Sequence, residues 1–122
     1  MTVDVLMPHA VIRVRFLTTA EGGRKTAIQG VREGIQDVKY GCPVYLNGQA
    51  FDCRFWPFAA GGYELGQEYD IPIRFLYPER AMKWVSPGAP VTLWEGKTIA
   101  VGQVLTIDSR ELSTSHGPAG QT

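Results

Sequence analysis

No stretch of this sequence approaches the roughly 20 apolar residues that a membrane-crossing helix needs. Its opening, where Pro8 and His9 interrupt a short apolar patch, lacks the charged start and long apolar segment of a secretory signal. A cytoplasmic location without membrane attachment is the resulting expectation. An excess of one charge is missing too. Twelve Lys and Arg side chains meet twelve Asp and Glu, so no long-range positive field gathers phosphate polymers, and any RNA contact has to be local and geometric. Cysteine is scarce: Cys42 and Cys53 do not make a disulfide scaffold, and no further Cys or His lies close enough to complete a zinc site. The only histidines, His9 and His116, have no nearby Ser, Cys or carboxylate arranged as nucleophile and base. The inventory predicts no enzyme active site, no metal and no cofactor.

Convincing helix is also lacking, and alternation takes its place. From Tyr40 to Phe55, YGCPVYLNGQAFDCRF, apolar residues alternate on both sides of Asn47-Gly48. That dipeptide supplies the two positive-φ residues of a two-residue type I′ turn, so paired positions sum to 95 in residue number. Leu46 then faces Gln49, Val44 faces Phe51, Cys42 faces Cys53 and Tyr40 faces Phe55 on a core side. Tyr45 with Ala50, Pro43 with Asp52 and Gly41 with Arg54 form a mixed side suited to solvent or a partner. The cysteines are expected as buried, reduced neighbours. An apolar setting raises a thiol's pKa and shields it, which favours a structural role over a redox one.

Three more segments alternate. Ala10 to Thr19 places Ile12, Val14, Phe16 and Thr18 on one face and Arg13 and Arg15 on the other; Glu68 to Tyr77 places Tyr69, Ile71, Ile73, Phe75 and Tyr77 together. Pro72, on the opposite face, implies an edge or a bulge. Val91 to Trp94 and Thr98 to Ile107 form a second hairpin, with Ile99, Val101, Leu105 and Ile107 on one face and Ala100, Gly102, Val104 and Thr106 on the other. Pro78 to Trp84 reads as one helical turn closed off by Pro87-Gly88. Thr26 to Asp37 reads as a long loop, and residues 109–122 as a disordered tail with little apolar surface to bury. These patterns predict an all-β fold, one six-stranded antiparallel barrel domain over residues 1–108.

The order of four motifs, EGGRKT (Glu21 to Thr26), YGCP (Tyr40 to Pro43), LG followed by IPIRFLYP (Leu65 to Pro78) and WEGKTIAVGQV (Trp94 to Val104), resembles the C-terminal β-barrel, domain III, of elongation factor Tu and related translational GTPases. The resemblance spans roughly residues 10 to 107 and implies a six-stranded antiparallel barrel. In full-length factors this domain helps hold the T-stem of aminoacylated tRNA and packs against the GTPase domain. The GTPase engine itself has no counterpart here: the sequence contains neither a G-x-x-x-x-G-K-[ST] phosphate loop nor an Asn-Lys-x-Asp base-reading motif, and GTP binding is not expected.

By resemblance, Arg24 and Lys25 occupy a turn that meets RNA backbone, and Glu95 and Gly96 occupy a second such turn. The departures run one way. Trp94 stands where the family has arginine, Cys42 where it has arginine, Val44 where it has glutamine, and Tyr77 where it has lysine or histidine. Exchanging cations for aromatic and apolar residues suits a protein partner better than a phosphate one. The candidate binding residues are therefore Arg24, Lys25, Trp94, Glu95, Gly96 and Lys97, presented to one protein partner by a stand-alone accessory, regulatory or inhibitor-type barrel. A translation-linked tRNA-binding barrel is the alternative. Trp56, Phe58, Tyr63, Trp84 and Trp94, at strand ends and turns, either plug the barrel or line that interface.

Overall fold

The structure, a computed structural model, describes residues 8–28, 41–55 and 61–107. Six strands make a closed antiparallel barrel: β1 (Ala10–Phe16), β2 (Gly41–Leu46), β3 (Gln49–Phe55), β4 (Glu68–Phe75), β5 (Pro90–Trp94) and β6 (Thr98–Ile107), in the spatial order β1-β4-β3-β2-β5-β6. Closure leaves no open sheet edge, which removes the usual template for edge-to-edge aggregation.

The β2–β3 hairpin has the expected register, from Gly41↔Arg54 through Cys42↔Cys53 to Leu46↔Gln49. Asn47 at φ 51° and Gly48 at φ 76° supply the left-handed pair the turn demands. Both cysteines are buried with no disulfide between them, and the Cys53 thiol donates to the Cys42 carbonyl at 3.4 Å. Burial, first, pushes the Cys53 thiol well above its ordinary pKa, which leaves it a poor nucleophile. Tyr40, Trp56, Phe58, the loop beyond Ile28 and the tail from 108 onward lie outside the described residues.

Alternation along the strands fills the interior. Ala10, Ile12, Val14 and Phe16 point inward from β1, Val44 and Leu46 from β2, Phe55 from β3, Ile71, Ile73 and Phe75 from β4, and Val91 and Leu93 from β5. Tyr63 caps one end. It is buried, bridges its backbone to Ile28 by two hydrogen bonds, and packs its ring on Phe16, Phe55 and Tyr69 at centroid distances of 5.6, 5.2 and 5.0 Å. His9, also buried, accepts a hydrogen bond at Nδ1 from the Phe75 backbone N–H. The side chain thus satisfies a donor of β4 just beyond the Ala10↔Ile73 pair, at the end of the β1–β4 ladder.

Several expectations need correction. The first strand stops at Phe16 rather than Thr19, because Thr18 becomes an N-cap: its hydroxyl accepts from the Glu21 N–H while the Glu21 carboxylate accepts from the Thr18 N–H. This capping box starts a single 3-10 turn over Thr19–Glu21, and Gly22 at φ 92° ends it. The faces of the last strand are also not as alternation implies. Trp94 pairs with Thr98 but Leu93 pairs with Ala100, so Ile99 is an extra residue in β6. That bulge turns both Ile99 and Ala100 inward, and beyond it Val104 is buried and Val101 exposed; Leu105 is a second extra residue, against β1, and Ile107 beyond it is exposed although it pairs with Ala10. Tyr77 likewise falls after β4 has ended and is exposed. Pro72 pairs with Val11 in an unbroken β1–β4 ladder of a closed barrel, so the edge or bulge expected at this proline is not found in that pairing.

Outward arginines are matched by carboxylates. Arg13 forms a two-pronged pair with its cross-strand neighbour Asp70, at 2.7 and 3.1 Å, and Arg15 does the same with Glu21, at 2.9 and 3.1 Å. Hydrogen bonding from Arg15, with help from the Thr18 backbone, holds the Glu21 carboxyl down at about 2. A carboxyl whose pKa is lowered by folding stabilises the fold above its unfolded value and stops doing so as pH falls through its folded value. Stability is therefore expected to decline between about pH 4.5 and pH 2. In a urea titration repeated across that range, Glu21→Gln, which keeps a capping side chain but no charge, should show a smaller decline than wild type. Equal declines would mean that the exposed Arg15–Glu21 pair contributes nothing.

Candidate aromatic groove

The site begins at the seam with the shortest ladder among the described residues. Strands β2 and β5 pair at only two positions, Val44↔Leu93 and Tyr45↔Thr92, whereas β5 pairs along its whole length with β6. Past Tyr45 the ladder stops, and Pro90 has no N–H with which to continue it. On the outside of this seam lies a groove of about 800 Å³, lined by Tyr45, Asn47, Pro90, Thr92 and Trp94 from the strands and hairpin tip. Lys83, Trp84 and Ser86 form its other wall. That volume lies within the range of ligand-sized clefts.

Each aromatic is placed for a local reason. Tyr45 is on the outer side of the β2–β3 hairpin, as the turn arithmetic requires. Leu93 points inward, so its neighbour Trp94 points out, and it remains 37% exposed while packing edge-on against Tyr45 at 6.1 Å. Trp84 ends a connector made of α1 (Pro78–Ala81) and a 3-10 turn over Met82–Trp84. Proline at the first helical position, a buried Ala81 and the Pro87-Gly88 turn confine this connector to two short turns against the barrel. Trp84 packs partly on the core, with the Lys83 ammonium 5.7 Å from its ring centre.

The sequence-derived candidates divide into two groups. Arg24 and Glu95, 71 residues apart, meet: Arg24 Nη1 donates to both Glu95 carboxylate oxygens at 2.6 and 2.8 Å, and Arg24 Nε donates to the Thr26 carbonyl at 2.9 Å. The two turns expected to act together are thus joined, but by a half-buried ion pair that turns Arg24 toward protein. Gly96, at φ 73°, shapes the tight turn that delivers Glu95. Lys25 and Lys97 are exposed at the same end. Trp94 belongs both to this end and to the groove.

Of the other rim aromatics, Tyr63 proves to be a plug and Trp84 a groove wall. Turn arithmetic sets Tyr45 on the side suited to solvent or a partner but offers no sign that Lys83, Asn47 and Ser86 would join it, since those contacts depend on how the segments fold together. Among the described residues no cluster of three or more His, Cys, Asp or Glu is arranged to hold a metal ion. No helix among them is long and apolar enough to cross a membrane.

No family model matches the chain, and comparison with curated proteins returned no relative.

Proposed function

We propose that this chain is a non-catalytic protein-interaction module, a barrel of the kind that closes elongation factor Tu, which grips one protein partner through the groove of Tyr45, Trp84 and Trp94. One observation carries the reading: the barrel interior is filled by its own side chains, while on its outside two tryptophans and a tyrosine border one large cleft. Large aromatics in a partly open cleft are the composition of interface hot spots. The RNA alternative draws less support, because Arg24, one of the two cations of the first RNA-type turn, is already paired with Glu95, and the chain as a whole has no net charge.

The first test is parallel affinity capture with wild type and Trp94→Ala, followed by titration of the recovered protein. One partner should bind wild type and bind Trp94→Ala about 30-fold more weakly, the equivalent of about 2 kcal/mol. Trp94 is at the surface, so the variant's melting temperature should stay near that of wild type. Equal affinity of the two proteins for that partner would contradict the reading. Titration with tRNA at rising salt is the second arm. Tight binding whose logarithm falls steeply with log salt would count phosphate contacts and favour the RNA alternative.

A further inference from the structure

We infer that the groove receives a proline-rich segment carrying an acidic residue, held in the extended polyproline II conformation; this rests on the interaction-module reading and names the chemistry of the partner. The argument starts from what the lining can and cannot do. Trp84, Trp94 and Lys83 carry hydrogen-bond donors only, Tyr45, Asn47, Ser86 and Thr92 both donate and accept, and no carboxylate lines the groove among the described residues. A donor-rich wall fits a ligand with many acceptors and few donors. A run of prolines is such a ligand: every residue offers a carbonyl and none offers an N–H. Sugars fit less well, since each hydroxyl also needs an acceptor and carboxylates are the strong ones.

Shape and charge support the same occupant. Indole and phenol rings give proline rings flat apolar surfaces, and aromatic-lined grooves are the recurring way in which proteins take up polyproline II segments, whose preformed conformation costs little entropy to bind. The Tyr45–Trp94 pair, set edge to face, makes one such wall, and Trp84 on the connector faces the other side of the groove. Among the described residues, Lys83 is the sole ionisable cation in the lining. It is exposed and placed over the Trp84 ring, where an acidic side chain of the ligand would reach it while neighbouring prolines stack.

The test uses a fluorescent peptide of repeated Pro-Pro-Glu, about eight residues long and so spanning about 25 Å. A Gly-Ser-Glu peptide and a Pro-Pro-Lys peptide of equal length serve as controls, with a maltose oligomer as competitor. Fluorescence anisotropy should show saturable binding of the Pro-Pro-Glu peptide below about 1 mM, with much weaker binding of both controls. Trp94→Ala should weaken it about tenfold or more, and Lys83→Glu should reverse the preference so that Pro-Pro-Lys binds better than Pro-Pro-Glu. Both substitutions are at exposed positions, and melting curves check that each variant is folded.

Absence of saturable binding, equal binding of the Gly-Ser-Glu peptide, indifference to Trp94→Ala, or displacement by the maltose oligomer would each overturn the inference. If the proline peptide fails while a captured protein still depends on Trp94, only the peptide chemistry falls. If both fail, the interaction-module reading falls with it.

Discussion

Gly102→Ala is expected to destabilise the barrel by about 3 kcal/mol or more, at the upper end of the overpacking range. Gly102 lies in the middle of β6, opposite Val14 of β1. A β-carbon there would run into the Arg13 carbonyl oxygen and come within 2.7 Å of the Val14 α-carbon. The obstacle is backbone on a neighbouring strand, so no rotamer change relieves it. Relief requires β1 and β6 to separate, and those strands share the longest ladder in the barrel, from Ala10↔Ile107 to Phe16↔Ala100. Urea unfolding of the purified variant should show a much lower midpoint, or the variant should be found only in the insoluble fraction. A midpoint within about 1 kcal/mol of wild type would mean that the two strands do not approach this closely.

Phe16→Ala should cost about 3–5 kcal/mol, a large share of the roughly 5–15 kcal/mol that holds a typical domain together. Phe16 is fully buried, and its ring meets Tyr63 at 5.6 Å and Tyr69 at 5.9 Å. Truncation removes the ring's burial and also leaves those tyrosines beside a void, the two contributions that make large-to-small core changes costly. Phe16→Leu, which keeps most of the volume, should cost distinctly less. Near-equal costs for the two variants would show that the aromatic cluster at this end closes up around the missing ring.

What was legible in the sequence was chiefly what depends on local chemistry. Asn47-Gly48 dictates a turn length, the turn length dictates the register, and the register brings Cys42 to Cys53 and sends Tyr45 outward. Alternation in β1 and β4 likewise sorted core from surface correctly, because no bulge interrupts their mutual pairing from Ala10↔Ile73 to Arg15↔Glu68. The closed antiparallel barrel follows from six such segments. Illegible features depend on more than one segment. β6 carries two extra residues, Ile99 against β5 and Leu105 against β1, and each changes which face the residues after it present, a feature set by pairing with two other strands rather than by β6 itself. Gly102 was visible as a glycine within a strand, but the Arg13 and Val14 backbone that forbids any other residue comes from the far end of the chain.

The candidate site divides in the same way. Trp94 could be singled out because it follows Leu93 in a short strand beside the Glu95-Gly96-Lys97 turn. Whether it pointed in or out depended on which of the two faced the core, and Leu93 took that place. Arg24 and Glu95 were named for a shared surface, and their surface proves to be one at which they neutralise each other. Lys83 and Trp84 join the groove only because the connector after β4 crosses back beside the hairpin tip. Nothing in their own neighbourhood in the sequence announces that path.

The central claim, that a protein partner occupies the groove on the outer face of the β2–β5 seam, is tested most directly by hydroxyl-radical footprinting of the captured complex. Indole and phenol rings oxidise readily when water reaches them, so Trp84, Trp94 and Tyr45 report on the groove, while Tyr77, exposed on the connector, serves as an internal reference. The account predicts that partner binding suppresses oxidation at Trp94 and Trp84 while leaving Tyr77 nearly unchanged. Undiminished oxidation of Trp94 in a fully formed complex, with protection elsewhere on the barrel, would contradict it.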